Sequence, residues 1–286
     1  NKIIDGMRAG AVKKVLGLLE ELVTKGEYGA FWKTFGRVFK EGLIEDHSNR
    51  DRLAKLVRFS STHTDSEEQE VSLDDYVTRM KEGQTFIYYV VADGFATAKN
   101  SPHLEVFRKK GIEVLLLSDP VDDWAVTHLT EYSGKPLKSV SKGALDLGAL
   151  EDKEDKAAAE TEAGEYKDLV ERIRKSLAER VKEVRVTHRL TTSPACLVAD
   201  EHELGAHLER LLKAAGQDLP ATPPILEINP EHPIVRRLRR EQEGPRFEDW
   251  ARILFDQALL SEGGRLDDPA GFVHRLNEMF LVMSGE

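Results

Sequence analysis

Two histidines with a glutamate between them, His202-Glu203-Leu204-Gly205-Ala206-His207, come closest in this 286-residue chain to a zinc-binding pattern. A helical zinc pair needs its imidazoles four residues apart, on one face. Here they are five apart, and five steps of about 100° leave the rings roughly 140° from each other. No metal is therefore expected. His188 and Arg189 with Asp200 could act as a base and its orienting groups, but the sequence places no nucleophile beside them. Cys196 is the sole cysteine; it cannot form an internal disulfide and reads as a small buried hydrophobe. The chain contains no G-x-x-x-x-G-K-[ST], G-x-G-x-x-G, C-x-x-C or G-x-S-x-G, so no catalytic residues are expected.

Other residues suit holding a polypeptide. Asp122-Asp123-Trp124 sets an indole beside two acids, an arrangement fitted to a mixed apolar and cationic segment if the ring is exposed. Asp200 opens a predicted helix to Ala215, with Glu203 completing a capping box. Leu204, Leu208, Leu211 and Leu212 fall on one stripe of it, which either packs on its own domain or takes up partner segments. Near the carboxyl end, Phe247, Trp250, Ile253, Leu254, Ala258 and Leu260 line one helix. Phe272, Val273, Leu276, Met279, Phe280 and Met283 line the next. Two such helices either fold back on their own domain or pair with the same helices of a second copy. The predicted dimerisation residues are Trp250, Ile253, Leu254, Phe272, Leu276, Met279 and Phe280.

The elements that must position these residues follow from periodicity. Apolar residues at Val12, Val15, Leu16, Leu18, Leu19 and Leu22, then at Phe31, Phe35, Val38 and Phe39, predict two helices with Gly26 between them. Ser72 with Asp75 predicts a capping box for a helix to Met80. Phe86 to Val91, Ile112 to Leu117 and Pro136 to Val140 read as strands separated by helices starting at Ser101-Pro102 and Asp119-Pro120. That alternation predicts βαβ units and a mainly parallel sheet. After a charged stretch around residues 151–156, a second domain alternates helices with strands at Val184 to Thr187, Ala195 to Val198 and Ile225 to Ile228. The fold class is thus α/β and α+β: a helical coil, a small βαβ parallel-sheet part, then a mixed α+β domain ending in a helix pair.

Composition excludes several classes. Forty-one basic against 51 acidic residues give a net charge of −10, which disfavours a nucleic-acid partner. Arg236, Arg237, Arg239 and Arg240 form a local exception. No apolar run nears the ~20 residues of a membrane span, so no membrane partner is expected, and a lone cysteine suits a reducing, cytoplasmic setting. Helical periodicity begins at Ile3 directly after Asn1, implying a piece of a longer protein.

Several stretches resemble one family. They are Leu56-Val57-Arg58-Phe59-Ser60-Ser61-Thr62, Ser72-Leu73-Asp74-Asp75-Tyr76-Val77-Thr78-Arg79-Met80-Lys81-Glu82, Ser101-Pro102-His103-Leu104-Glu105, Val186-Thr187-His188-Arg189-Leu190 and Asp256-Gln257-Ala258-Leu259-Leu260. Across essentially the whole chain they are similar to the bacterial heat-shock protein 90 chaperones. The resemblance implies the latter part of the middle domain (residues 1–45 a helical coil, 46–142 a small α/β part), a linker over 143–164, and a C-terminal dimerisation domain over 165–286. It implies that the ATPase domain lies elsewhere, so ATP and magnesium are cofactors of the longer protein and this piece has none. It also implies client polypeptides, a homodimer through the C-terminal helices and co-operating chaperones as partners. Asp123 and Trp124 match the family's middle-domain client site. Leu204 and Leu208 stand where relatives often carry two exposed methionines, keeping the apolar character without the pliancy of Met. The sequence closes soon after Met283 without an acidic tail, so no tail-docking partner is expected. Two other readings stay open: a dimerisation scaffold without a client surface, and an α/β enzyme using strand ends near Asp93 and Ser118.

Overall fold

A computed structural model describes residues 2–151, 161–217 and 222–284. The charged run over 152–160, within the predicted linker, lies outside them. The chain forms two compact units: residues 1–91 with 113–138, and residues 92–112 with 139–286.

The first unit begins with two long helices, α1 (Lys2–Lys25) and α2 (Tyr28–Glu45), followed by α3 (Arg50–Leu56). Gly26, at φ 73°, closes α1 in the left-handed conformation that glycine tolerates. Leu16, Leu19, Trp32, Leu43, Leu53 and Leu56 form the buried seam between these helices and the rest of the unit. Gly36 lets the Trp32 indole lie against the α2 backbone, since a Cβ there would come within 2.6 Å of the ring. Helix α4 (Leu73–Arg79) carries the predicted capping box: Asp75 N donates to Ser72 Oγ at 3.0 Å, and Ser72 N donates to Asp75 Oδ2 at 3.2 Å. Ser72→Ala should lower the unfolding free energy by about 1 kcal/mol, measured by urea denaturation.

The sheet of this unit has the order β1-β3-β2-β5-β4, from β1 (Ser60–Ser61), β2 (Ile87–Val91), β3 (Leu115–Leu117), β4 (Glu131–Tyr132) and β5 (Lys135–Ser139). β2 and β3 pair in parallel, Tyr89 opposite Leu115 and Val91 opposite Leu117. Pairs β1–β3 and β4–β5 are antiparallel, so the small α/β part is more mixed than the strand–helix alternation predicts. The cause is local. Ser133 and Gly134, at φ 50° and 71°, make a tight turn that folds 131–139 into a hairpin. The helix predicted through Tyr132 therefore ends at His128, as α7 (Asp122–His128). β3 is buried throughout, as its continuous apolar run requires.

The second unit includes the segment between β2 and β3, with short helices α5 (Phe95–Lys99) and α6 (Glu105–Lys110). Its sheet has the order β6-β8-β7: β6 (Glu183–Val186) is parallel to β8 (Ile225–Ile228), and β7 (Ala195–Val198) is antiparallel to it. Around it stand α8 (Lys167–Leu177), α9 (Ala206–Ala214), α10 (Pro233–Arg240), α11 (Pro245–Ser261) and α12 (Pro269–Ser284). Leu169, Ile173 and Leu177 of α8 and Phe247, Trp250, Ala251 and Leu254 of α11 share one core with Val184, Leu197, Leu226 and Ile228 of the strands. Every fourth residue of each helix is apolar, so one face of each is buried there. Among the described residues no helix is long and apolar enough to cross a membrane.

Buried charge threads this core. Glu227 on β8 accepts from Arg189 Nε at 3.0 Å and from Arg185 Nη2 at 2.6 Å. The Arg189 guanidinium also donates to the carbonyls of Val140 and Gly143. Burial acts to raise the Glu227 carboxyl, but Arg189 and Arg185 outweigh it and hold the group below the usual carboxylate range. Cys196, fully buried beside Glu227, has its thiol pushed far up by burial. It is an inert packing residue rather than a nucleophile.

Candidate functional site

Three exposed apolar surfaces stand out. The first is Trp124 on α7, whose side is 40% exposed. Its acidic neighbours do not flank it as the sequence suggests. Successive helix positions turn by about 100°, and Asp122 and Asp123 point inward and are buried. Asp122 Oδ1 lies 2.8 Å from the fully buried Lys40 Nζ of α2, which also donates to Asp119 Oδ2 at 2.7 Å. Burial raises the Asp122 carboxyl, with Lys40 offsetting it only in part. At half-buried Asp119, burial is outweighed by Lys40 and by Gln69, and the carboxyl is held low. Burial, helped by Asp123, pushes the Tyr89 hydroxyl up to about 12. Asp122 thus fastens α7 to α2, Asp123 is buried beside it, and the Trp124 indole is presented to solvent.

The second surface is around Leu204. The predicted helix from Asp200 starts only at Ala206, with Gly205 as its N-cap. Residues 201–203 form a turn instead, and the expected capping box is absent because its parts are otherwise engaged. The Asp200 carboxylate takes Lys182 Nζ at 2.6 Å and its own neighbour Glu201 N at 2.8 Å. Lys142 Nζ donates to Glu203 O at 2.9 Å. Leu204 therefore sits before the helix and is 45% exposed, while Leu208, one turn inside, is only 4% exposed. Leu211 and Leu212 are half-buried. The stripe is split: Leu208 anchors α9, and Leu204 remains outside.

Helix α9 is fastened at one carboxylate. Asp93 Oδ1 lies 3.0 Å from His207 Nε2, and Asp93 Oδ2 accepts from Arg210 Nη2 at 2.8 Å. Arg210 also donates to Glu262 O. The two histidines of the zinc-like pattern therefore part company, His207 turning to Asp93. The same contacts answer the enzyme reading: Asp93 and the lone Gly94 precede a five-residue helix, and a carboxylate at that position repels phosphate rather than cradling it. These residues do not fit a nucleotide. Asp93→Asn should speed hydrogen exchange of the 206–214 amides about tenfold relative to those of β8, because one charge-assisted fastening is lost.

The third surface is α12. Met279 is buried in the unit's core and Phe272 packs against it in part, while Leu276 is half-buried. Arg275 and Arg180 close on Asp256 of α11 at 3.1 and 2.7 Å and hold the helix in register. Val273 (52% exposed), Phe280 (58%), Leu281 and Val282 face out. Of the predicted dimerisation residues, Trp250, Ile253, Leu254 and Met279 are buried within the single chain. They have almost no surface left for a partner to cover, because α11 packs on the sheet and α8 rather than standing free. Of these seven only Phe280 is exposed, with Phe272 and Leu276 intermediate.

Leu281 and Val282 are exposed apolar positions that the sequence reading does not single out, and in α1 Ile3, Ile4, Met7, Val15 and Leu18, part of the predicted helical pattern, are exposed as well. The signal was present: in α1 Leu16 and Leu19 are already the inward stripe, so further apolar positions around the helix mark a second face.

A family model described as Hsp90 protein matches residues 1–285. The chain is 59% identical over 288 residues to a chaperone protein HtpG of Dechloromonas aromatica, an alignment covering 100% of this chain and 45% of that protein. It is 60% identical to the HtpG of Aromatoleum aromaticum, covering 100% of this chain and 45% of the relative. It is also 60% identical to that of Methylococcus capsulatus, covering 97% and 44%. The chain thus spans less than half the length of these relatives.

Proposed function

Because the chain belongs to the Hsp90 protein family, we propose that it is the self-associating, polypeptide-holding part of a cytoplasmic chaperone. The observation that carries this reading is α12: it satisfies its own core with Met279 and, in part, Phe272, yet keeps Val273, Phe280, Leu281 and Val282 in water. A second copy offering the same face covers both sets at once through a two-fold contact. In this reading the clients are polypeptides with exposed apolar side chains, gripped at Asp123-Trp124 and at Leu204 with Leu208 beneath it. Asp123 and Leu208 act from below, fixing the helices that present Trp124 and Leu204. Each grip is weak, and pairing two chains strengthens the hold by avidity. ATP and magnesium belong to the remainder of the longer protein, and this chain hydrolyses no ATP. Co-operating chaperones meet that longer protein.

The test is binding of a permanently unfolded, fluorescently labelled model polypeptide. Trp124→Arg and Leu204→Ser should each weaken it about five- to tenfold while the circular dichroism spectrum stays that of the parent. Unchanged affinity in both, with dimerisation intact, would leave a dimerisation scaffold without client surface, the reading that the burial of Leu208 otherwise favours.

A further inference from the structure

Helix α10, Pro233-Ile234-Val235-Arg236-Arg237-Leu238-Arg239-Arg240, anchors itself with Val235 and Leu238, both fully buried. Its four arginines are all exposed, in a chain of net charge −10. Cations near a helix C-terminus ordinarily serve the helix dipole, but that task is already done here. Arg172 of α8 donates to Glu241 O at 2.8 Å and to Arg239 O at 3.2 Å, reaching the terminal carbonyls directly. Two of the four arginines have local acids: Arg236 pairs with Glu231 at 2.7 Å, and Arg239 with Glu165 at 3.4 Å while lying over the Tyr166 ring. Among the described residues Arg237 and Arg240 serve neither purpose. Arg236, Arg239 and Arg240 line an open cleft of about 720 Å³ together with Thr161, Tyr166 and the acids Glu162, Glu165 and Glu231.

We propose that this arginine helix and its cleft are a docking surface for an acidic polypeptide segment, independent of the Trp124 and Leu204 surfaces. Guanidinium groups offer planar forks that match carboxylates two hydrogen bonds at a time. A helix of eight residues is about 12 Å long, the span of roughly four extended residues, so a short run of Asp or Glu fits along it. An entering carboxylate takes the forks of Arg237 and Arg240 first, which no described acid holds, and competes with exposed Glu231 and Glu165 for the other two. Interleaved acids in a concave cleft, on an acidic chain, suit a peptide better than a flat anionic lipid surface, which calls for a contiguous basic face.

The experiment measures the anisotropy of a fluorescein-labelled hexaglutamate peptide with the full chain at low salt. The parent should bind, and added salt should weaken the complex. Arg237→Glu with Arg240→Glu should weaken it about tenfold. Lys13→Glu with Lys14→Glu, an equal change of net charge on exposed α1, should leave it unchanged. Equal loss in both double variants would reduce the effect to net charge and overturn the proposal. So would capture of anionic vesicles without any peptide binding, or no binding by the parent.

Discussion

Glutamate placed at both Val273 and Phe280 should separate the proposed dimer, raising its dissociation constant by about a hundredfold or more. Both side chains are more than half exposed in the single chain, so the substitutions cost the monomer little. In the proposed pair both positions lie on the contact face, so four carboxylates would be desolvated without partners. Each unpaired buried charge is worth several kcal/mol in an interface, and about 1.4 kcal/mol is a tenfold change in affinity. Size-exclusion chromatography with light scattering reads the mass, and the melting temperature of the variant reports whether the fold survived. Leu276→Glu is a poorer test. Leu276 is half-buried, so losing the dimer there could equally mean losing the helix. Phe280→Leu should keep the pair, since the face needs apolar area rather than an aromatic ring.

The second large effect concerns stability. Glu227→Gln leaves the Arg189 guanidinium, 1% exposed, with two carbonyls and no anion. Breaking a buried ion pair from one side typically costs about 3–5 kcal/mol, a large share of the 5–15 kcal/mol that holds a domain together. The urea midpoint should fall accordingly. Glu227→Gln combined with Arg189→Met should recover part of the loss, because no charge is then stranded. The acid limb follows with a definite sign. The folded carboxyl lies below its unfolded value, since Arg189 and Arg185 outweigh burial. Its contribution is full above the unfolded value of about 4.3 and is lost as pH falls through the folded value. The parent should therefore lose stability more steeply below about pH 4.3 than the Glu227→Gln variant does.

Where one kind of interaction decides a segment, the residues announce it. The capping box at Ser72 and Asp75, the buried strand Leu115–Leu117, the three strands of the second sheet and the last three helices all follow from local periodicity and turn chemistry. Misreadings arose where a distant partner decided. Asp200 looks like an N-cap, but Lys182, eighteen residues earlier, claims its carboxylate and delays the helix to Ala206. Asp122 and Asp123 look like a charged rim for Trp124, but Lys40 lies on another helix far back in the chain and draws Asp122 inside. Trp250 and Leu254 read as free interface because the sequence does not say that α8 and the sheet cover α11. The candidate site was legible in kind (exposed indole, apolar stripe, terminal helix pair) but not in the choice of which face each helix turns to solvent. That choice is made by tertiary partners, not by the spacing along one helix.

The central claim is that α12 keeps an apolar face for a second copy of the same chain. Sedimentation equilibrium of the unaltered 286-residue chain, from about 1 to about 100 µM, tests it most directly. The account predicts a mass rising to twice the 32.2 kDa of one chain, and a single-chain mass throughout for Val273→Glu with Phe280→Glu. A compact monomer at the highest concentration, or a dimer that both glutamates leave intact, would contradict it.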